Sequence, residues 1–323
     1  MPHHMPDNPN ASQYVGRLAP SPTGALHVGN VRTFMVAWLR ARSLGGKVVM
    51  RMEDLDHPRD KPGAANAAVE DLMWLGFDWD EEFVQSERKP FYAAAIDRLR
   101  AAGLVYPCAC SRRDVAAAQS APHAGDQLFY PGTCRDRFAS WSEAAAAKRA
   151  ATGSGSTPLP PVWRFRVPDS AHVAFEDAFA GHYEMDVAAT LGDFPVARDE
   201  GGAGYTLAVV VDDAAMGVTE VVRGDDLLPA TPPQMLLQRA LGLPTPAYLH
   251  VPLVVGPDGR RLAKRHGDTR IAEYRRRGMA PEEIVGAIAA TCGWAKPNER
   301  ISLQDLIPRF DLATIPHRAV TFR

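Results

Sequence analysis

The spacing of apolar residues predicts alternating strands and helices at the start of the chain. A short strand is predicted at 14–19, and apolar positions recur at helical spacing over 29–44, where Gly45 and Gly46 end the helix. A second strand is predicted at 48–50 and a second helix at 62–75. Because strands that alternate with crossover helices are typical of parallel sheets, this order predicts an α/β fold with a parallel sheet.

The pattern changes after Tyr106. Residues 107–161 contain three cysteines, an alanine-rich stretch and the linker-like sequence GSGSTPLPP, so they are predicted to interrupt the sheet as an insertion. Apolar runs predict buried strands at 207–211 and 218–222, and a helix is predicted at 235–241. The parallel sheet is therefore expected to resume after the insertion.

The composition excludes several classes of protein. The chain has 323 residues, of which 46% are hydrophobic and 23% are charged, and its formal net charge is −2. It is therefore not a polybasic protein that coats nucleic acid. No apolar run approaches the ~20 residues that span a bilayer, and the opening MPHHMPDNPNASQ lacks the layout of a signal peptide. We expect a folded protein in the cytoplasm.

Positive charge is concentrated in residues 256–279. This segment has eight Lys and Arg residues against three Asp and Glu residues, a local charge of +5. Such a segment can meet RNA phosphates. The alternative is a solvated, charged helix face.

A turn rich in proline and glycine, RLAPSPTGALHVGN, lies between the first strand and the first helix. Open α/β sheets place their ligand crevice at such turns, where N–H groups at the helix start receive phosphate oxygens. His27 and Asn30 can add side-chain donors, and Gly24 and Gly29 let the backbone approach a nucleotide. The alternative is that these residues only make a tight turn.

Four blocks of sequence, in order, carry a resemblance to a known family. Residues 17–30 resemble the first signature of class I aminoacyl-tRNA synthetases of the glutamyl type, with HVGN in place of His-Ile-Gly-His. RMEDLD at 51–56, YTLAVVVDDAAMGVTEVVRGDDLL at 205–228 and RLAKR at 261–265 follow, and the last resembles the second signature, Lys-Met-Ser-Lys-Ser. The resemblance implies a Rossmann-type parallel sheet with a zinc-binding insertion and a short helical C-terminal region.

The sequence pattern and the resemblance together divide the chain into five segments. They are a disordered tail (1–13), the first half of a Rossmann catalytic domain (14–106), an insertion with a zinc-binding cluster and an acceptor-type subdomain (107–200), the second Rossmann half (201–255), and the second-signature loop with a helical C-terminal region (256–323).

Activation of an amino acid by ATP needs cations and N–H donors, because charge spreads over phosphoryl oxygens in the transition state. The resemblance implies that Lys264 and His27 are catalytic and that Gly29 and Asn30 bind ATP with them; Mg²⁺ is expected with the ATP. Without the resemblance, Lys264 would be a solvated surface lysine. Ala263 stands where the family usually has Ser, so a hydroxyl is absent there.

Glutamate carries two carboxylates and an ammonium, so its pocket needs an Arg fork, an acidic partner and a polar tip. The resemblance implies that Arg17 and Arg223 are the substrate arginines and Glu53 the ammonium partner. Ser21 and Tyr205 would supply hydroxyls. The alternatives are structural: a strand cap at Arg223, a surface ion pair of Glu53 and a half-buried strand position for Tyr205.

Three of the four cysteines are close together in the sequence: Cys108, Cys110 and Cys134. This clustering favours a metal site over a disulfide scaffold, and buried or redox-active thiols are the alternative. Zinc prefers four tetrahedral ligands, usually Cys, His, Asp or Glu, so chemistry alone nominates His123 as the fourth. The resemblance to truncated members of the family implies Tyr130 instead. Cys292 lies in an apolar context and is predicted to be a core residue.

The C-terminal part of the chain decides between members of the family. Full-length glutamyl-tRNA synthetases carry a long C-terminal helical region that recognises the anticodon, whereas only residues 266–323 follow the second signature here. Leu18, the run YTLA and the Tyr/Cys pattern also resemble the truncated members. These activate L-glutamate with ATP and attach it to queuosine in the anticodon of tRNA(Asp). The expected partners are therefore L-glutamate, ATP and queuosine-containing tRNA(Asp), with one Zn²⁺ per chain and no obligate protein partner.

Two alternatives remain open. One is a catalytic fragment that charges tRNA at its 3′ end and uses a separate anticodon-binding partner. The other is a catalytically inactive, zinc-containing RNA-binding module, which is favoured by Ala263 and by Asn30 in place of the second His of the first signature.

Overall fold

Strands and helices alternate along the chain in a computed structural model, which describes residues 13–22, 25–55, 63–117, 128–151, 159–198, 202–256 and 269–322. The strands are β1 (Val15–Leu18), β2 (Lys47–Met52), β3 (Glu81–Val84), β4 (Val105–Cys108), β5 (Val162–Phe165), β6 (His172–Asp177), β7 (Gly181–Asp186), β8 (Phe194–Ala197), β9 (Glu220–Gly224), β10 (Ala247–Val251), β11 (Val254–Val255) and β12 (Val320–Thr321). The α-helices are α1 (Val28–Ser43), α2 (Ala64–Trp74), α3 (Lys89–Ala101), α4 (Arg112–Ala117), α5 (Trp141–Ala151), α6 (Val187–Thr190), α7 (Tyr205–Ala215), α8 (Thr231–Leu241), α9 (Ile271–Arg276) and α10 (Pro281–Ala290). No helix in the described ranges is long and apolar enough to cross a membrane.

Strands β1 and β9 are neighbours at the centre of a parallel arrangement. β1 pairs in parallel with β2, and β2 with β3, while β9 pairs in parallel with β10. The Thr219 amide donates to the Val15 carbonyl at 2.9 Å, and the Val15 amide donates to the Thr219 hydroxyl oxygen at 3.0 Å. The predicted α/β fold with a parallel sheet is confirmed. Because the strand order reverses between β1 and β9, this is where such folds bind ligands.

Helix α1 supplies a large part of the main core. Val31, Met35 and Leu39 are fully buried on it, and burial of each such side chain stabilises the fold by about 1.5–3 kcal/mol. The helix ends at Ser43, and Gly45 follows with a φ of 63°, a left-handed conformation that glycine adopts without steric cost. The predicted helix end is therefore confirmed.

The strand predicted at 207–211 is wrong. These residues lie within α7, in which every residue from 207 to 213 is buried. The helix packs against α3 and α8, so it lacks the polar face that marks a surface helix. A short apolar run fits a buried strand equally well, and the successive valines favour the strand. The strand predicted at 218–222 overlaps β9, and the helix predicted at 235–241 lies within α8.

Two antiparallel units lie between α3 and α7. Strand β5 pairs with β4 and β8, and β6 forms a hairpin with β7. Strand β6 also runs parallel to β10, with Asp177 opposite Tyr248. The hairpin of the segment predicted as an insertion thus extends the sheet beside β10.

The C-terminal region packs onto α1. The Arg32 side chain of α1 is almost fully buried, and its Nη1 donates to the Pro252 carbonyl at 2.7 Å. Its Nε donates to the Thr291 hydroxyl oxygen at 3.1 Å, just after α10. Cys292 is fully buried in the same core, as predicted. Residues 1–12 of the predicted tail lie outside the described residues.

Candidate active site and candidate metal centre

A cavity of about 500 Å³ lies at the carboxyl ends of β1 and β9. Eight of the residues predicted to bind glutamate or ATP line it: Arg17, Ser21, His27, Gly29, Asn30, Glu53, Tyr205 and Arg223. Lys264 and Ala263 lie outside the described residues. The side chains that line the cavity come from distant parts of the sequence, and they meet where open α/β sheets hold their ligands.

Buried charges of both signs lie beside the cavity. Arg51 Nη1 donates to Asp213 Oδ1 at 2.6 Å, and Arg51 Nη2 donates to Glu53 Oε1 at 3.0 Å. Arg17 Nε lies 3.8 Å from the same Asp213 oxygen. Each of these four side chains is less than one-tenth exposed. Two guanidiniums and two carboxylates balance one another, which is the condition for burying charge. The alternative of a surface ion pair for Glu53 is therefore wrong.

Glu53 is the carboxylate of this group that lines the cavity. Burial raises its pKa, although the guanidiniums of Arg51 and Arg17 act in the opposite direction. A cation that entered the cavity would favour the ionised form, because opposite charges at short distance stabilise each other. The arrangement is therefore suited to an ammonium group.

Arg223 stands near the end of β9, and its side chain is held by the protein along one edge. Its Nε donates to His250 Nε2 at 3.0 Å and its Nη2 donates to Thr231 Oγ1 at 2.7 Å. His250 is the partner of Arg223 in the register of β10 against β9. Arg223 therefore does not cap the end of its strand. Sequence reasoning missed His250 and Thr231, because strand register is a tertiary relationship.

Tyr205 and Ser21 bring hydroxyl groups to the cavity from two different elements. Tyr205 is the first residue of α7 and is 40% exposed. The alternative of a strand position for Tyr205 is therefore wrong, although its prediction as a cavity residue agrees with its place.

The start of α1 borders the cavity through Gly29 and Asn30 of its first turn and Thr33 of its second turn. No acidic side chain lies in the first turn, so the partial positive charge of the helix N-terminus is not offset there. His27 precedes the helix in an extended conformation, and its amide donates to Asn30 Oδ1 at 3.4 Å. A Cβ on Gly29 would lie 3.2 Å from the His27 ring. Helix N-termini of this kind bind anions such as phosphate.

The described residues on either side of the second-signature segment lie at the cavity or next to it. Val254 of β11 lines the cavity before the segment, and after it the Thr269 carbonyl accepts a hydrogen bond from the Val28 amide at 3.1 Å. Residues 257–268 between these points lie outside the described residues.

Sequence reasoning also missed two carboxylates of α7, Asp212 and Asp213. Asp212 is fully buried and accepts hydrogen bonds from Gln85 at 2.9 Å, Arg88 at 2.7 Å and Tyr92 at 2.8 Å. The signal was present in the sequence, because two acidic residues directly follow an apolar run. Buried carboxylates require hydrogen-bond donors, so such a pair indicates partners elsewhere in the chain.

The three clustered cysteines come together at the end of β4. The Sγ atoms of Cys108, Cys110 and Cys134 lie within 4.8 Å of one another, and those of Cys110 and Cys134 are 3.5 Å apart. Two sulfur ligands at about 2.3 Å from a tetrahedral zinc ion would be about 3.8 Å apart. The three thiols therefore have the dimensions of a metal site.

Tyr130 lies against this cluster. Its Oη is 3.3 Å from Cys108 Sγ and 3.9 Å from Cys110 Sγ, and it accepts a hydrogen bond from the Cys134 amide at 2.9 Å. The structure thus brings Tyr130 to the three thiols, and its role as a zinc ligand stays a prediction. The other candidate, His123, lies outside the described residues.

Arg164 supports the cluster from β5. Its Nε donates to Cys108 Sγ at 3.2 Å, and its guanidinium lies 3.8 Å from the centre of the Tyr130 ring. Hydrogen bonds with Cys110 and Cys134 lower the pKa of Cys108, and the positive charge of Arg164 acts in the same direction. A thiolate, the form that binds metal, is therefore favoured at Cys108.

Comparison with known proteins identifies relatives of nearly the whole chain. The family model for the catalytic domain of class I tRNA synthetases (E and Q) matches residues 13–323. A protein of Symbiobacterium thermophilum named glutamyl-Q tRNA(Asp) synthetase is 48% identical over 316 residues, which are 94% of each chain. Glutamate–tRNA ligase 2 of Halorhodospira halophila is 40% identical over 309 residues, which are 95% of this chain and 62% of the relative.

A solved structure has the same fold. The crystal structure of a glutamate tRNA ligase from Elizabethkingia meningosepticum, in complex with its amino acid, superposes with a TM-score of 0.79 at 27% sequence identity. The match covers 97% of this chain and 67% of the solved chain.

Proposed function

Because the chain belongs to the class I tRNA synthetases for glutamate and glutamine and is therefore a ligase, we propose that it activates L-glutamate with ATP and transfers it to queuosine in the anticodon of tRNA(Asp). The observation that carries the proposal is the cavity in which Arg17, Arg223 and Glu53 meet the start of α1. The choice of queuosine rests on the relative that carries that name and matches 94% of each chain. With ATP and tRNA as substrates, the cytoplasm is the proposed place of action.

Glutamate fits the charges of the cavity. Its two carboxylates would take N–H donors from Arg17 and Arg223, and its ammonium would lie against Glu53. Ser21 and Tyr205 would donate hydroxyl hydrogen bonds at the remaining oxygens. A neutral amide side chain in place of the second carboxylate would leave one guanidinium without its counter-charge, which favours glutamate over glutamine.

ATP would lie along the start of α1. There His27, Gly29 and Asn30 would contact it, and Lys264 would approach its phosphates from the second-signature segment. In the first step a glutamate carboxylate oxygen attacks the α-phosphorus, and the bond to the bridging oxygen breaks as pyrophosphate leaves with the electron pair. Lys264 and Mg²⁺ would offset the charge on the phosphoryl oxygens. In the second step a queuosine hydroxyl attacks the glutamyl carbonyl and loses its proton, AMP leaves, and an ester forms.

The thiol cluster would hold one zinc ion through Cys108, Cys110, Cys134 and Tyr130. The dimensions of the cluster and the acidic Cys108 thiol support this assignment. A zinc ion there would cross-link the loop after β4 to the loop around Cys134. Its proposed role is structural, since the cluster is not part of the cavity lining.

The proposal is tested by following labelled glutamate. The protein is incubated with labelled glutamate, ATP and queuosine-containing tRNA(Asp), the RNA is cut, and label is measured in the anticodon fragment and at the 3′ end. We expect label in the anticodon fragment alone, and none with tRNA(Asp) that lacks queuosine.

Other results would select other functions. Label at the 3′ terminal adenosine would identify a tRNA-charging enzyme. The absence both of label and of glutamate-dependent exchange of pyrophosphate into ATP would identify a catalytically inactive RNA-binding module.

A further inference from the structure

A buried row of three hydrogen-bonded side chains, Arg223, His250 and Asp177, runs from the cavity to the β6–β7 hairpin. His250 Nδ1 lies 2.6 Å from Asp177 Oδ2, and His250 Nε2 accepts a hydrogen bond from Arg223 Nε at 3.0 Å. His250 and Asp177 are no more than 5% exposed, as is Arg223. The row therefore joins the cavity to a hairpin that contributes nothing to the cavity lining.

The carboxylate of Asp177 fixes the tautomer of His250. An ionised carboxylate can only accept, so the proton of the imidazole must be on Nδ1. Nε2 then presents its lone pair to the Nε–H of Arg223. Burial acts to raise the pKa of Asp177, but hydrogen bonds from His250 and from the amides of Ala180 and Phe179 lower it overall, so this side chain is a carboxylate. Burial lowers the pKa of His250, which keeps the ring neutral. If Nε2 carried the proton, its N–H would point at the Nε–H of Arg223 and neither group could accept a hydrogen bond.

Asp177 is itself held by the backbone of the hairpin. Its Oδ1 accepts hydrogen bonds from the amides of Phe179 at 2.9 Å and Ala180 at 3.0 Å, and the amide of His250 lies 3.2 Å from both carboxylate oxygens. The Phe179 and Ala180 amides both donate to Oδ1, so Oδ2 is the oxygen that meets the His250 ring. The orientation of the carboxylate is therefore determined by the fold.

The row leaves one end of the guanidinium for a ligand. Arg223 has five N–H donors, of which Nε uses one toward His250 and Nη2 one toward Thr231. Both lie on the Nε/Nη2 edge, and no other hydrogen bond of Arg223 is found within the described ranges. The Nη1/Nη2 end keeps two parallel donors, which is the geometry that grips a carboxylate in bidentate fashion.

We propose that His250 and Asp177 are positioning residues for substrate binding: they fix the Arg223 guanidinium so that its Nη1/Nη2 end grips one carboxylate of the amino acid. The choice of glutamate as that amino acid rests on the proposed function. Neither residue touches the substrate, and both act through the orientation of Arg223.

Substitutions at His250 separate positioning from packing. His250→Asn keeps a donor near Asp177 but is too short to reach Arg223, whereas His250→Gln can place its amide oxygen near the position of Nε2. We expect His250→Asn to raise the KM for glutamate roughly tenfold to hundredfold in pyrophosphate exchange. The KM of His250→Gln should be much closer to that of the wild type. The KM for ATP should change less than about twofold in both. His182→Asn, on the exposed face of β7, is the control and should behave like the wild type.

Asp177→Asn should reverse the direction of the hydrogen bond between residue 177 and His250. The amides of Phe179 and Ala180 hold the amide oxygen of the new side chain at the Oδ1 position, so its NH₂ faces Nδ1 and the imidazole proton moves to Nε2. Nitrogen-15 NMR should find the Nδ1–H tautomer of His250 in the wild type and the Nε2–H tautomer in Asp177→Asn, together with a raised KM for glutamate. The NMR signal is identified by its loss in His250→Gln.

The outcomes distinguish the two proposals. A wild type without glutamate-dependent exchange would overturn the proposed function. The tautomer of His250 would still test the proposed hydrogen bonds from Asp177 through His250 to Arg223. An active wild type whose folded His250→Asn variant keeps its KM for glutamate would overturn the positioning role, as would an Nε2–H tautomer in the wild type. If Asp177→Asn does not fold, the two His250 variants decide the question.

Discussion

Arg51 Nη1 and Asp213 Oδ1 form a buried ion pair at 2.6 Å, directly behind the cavity. The same Asp213 oxygen lies 3.8 Å from Arg17, and the same Arg51 guanidinium holds Glu53. The Arg51–Asp213 ion pair thus orients two residues that are proposed to bind the substrate, the cation Arg17 and the anion Glu53. The loss of either partner would leave a buried charge without its counter-charge.

The first prediction follows from this pair. Asp213→Asn should lower the free energy of unfolding by about 3–5 kcal/mol, because Arg51 and Arg17 would lose their shared carboxylate in a buried environment. Denaturant unfolding measures the loss. Asp97→Asn is the control, since the Asp97–Arg100 pair is exposed and should contribute no more than about 1 kcal/mol. Equal losses in the two variants would contradict a special role for the buried pair.

The second prediction concerns pH. Glu53 must be ionised to bind an ammonium, and burial raises its pKa. The KM for glutamate should therefore rise as the pH falls, beginning at a higher pH than for an ordinary glutamate with a pKa of about 4.3. Pyrophosphate exchange over a pH series measures this rise.

Glu53→Gln is the reference for this pH series. It should have a high KM at every pH and lack the rise that comes from Glu53, while the titration of the substrate itself is common to both proteins. Parallel pH profiles of the variant and the wild type would exclude Glu53 as the ammonium partner.

The parts of the site that could be predicted from the sequence have a local signal. His27, Gly29 and Asn30 stand in one short block at a strand–helix turn, and Cys108 and Cys110 are two residues apart. Short-range spacing of this kind survives folding unchanged, so the structure brings these residues to the expected places.

The parts that could not be predicted depend on packing. The apolar residues of α7 look like a strand because the helix is buried on nearly all sides, and its polar residues Asp212 and Asp213 find their partners in other elements. His250 meets Arg223 through the register of two strands, and Asp177 meets His250 from a hairpin far away in sequence. No spacing in the sequence encodes such pairs.

The third prediction is the metal content. We expect about one zinc per chain in the purified protein, and its loss in a Cys108→Ser, Cys110→Ser double variant, because serine oxygens replace two of the thiolate ligands. Elemental analysis measures the zinc. Cys292→Ala should keep the metal, since Cys292 is buried in a different core. A wild-type protein that is folded and active without metal would contradict the proposed zinc site.

The fourth prediction decides the fourth ligand. Tyr130→Phe deletes only the hydroxyl that lies 3.3 Å from Cys108 Sγ, so it should weaken zinc binding roughly tenfold or more. His123→Ala should leave the affinity unchanged. Competition with a chromogenic chelator measures both affinities, and the reverse result would assign His123.

The last prediction uses two glycines with nearly the same backbone conformation. Gly192 has a φ of 65° and Gly181 a φ of 69°, so alanine is strained at both, by about 1 kcal/mol. A Cβ on Gly192 would overlap the Tyr130 carbonyl oxygen, whereas no atom of the described residues lies within 4 Å of a Cβ on Gly181.

The difference between Gly192→Ala and Gly181→Ala therefore isolates the contact with Tyr130. Gly192→Ala should push the Tyr130 backbone away from its hydrogen bond to the Leu191 carbonyl, and with it the hydroxyl away from the thiols. We expect faster zinc loss to a chelator and lower stability in Gly192→Ala, with only the small common strain in Gly181→Ala. If both variants lose zinc at the wild-type rate, the position of Tyr130 does not control the metal centre.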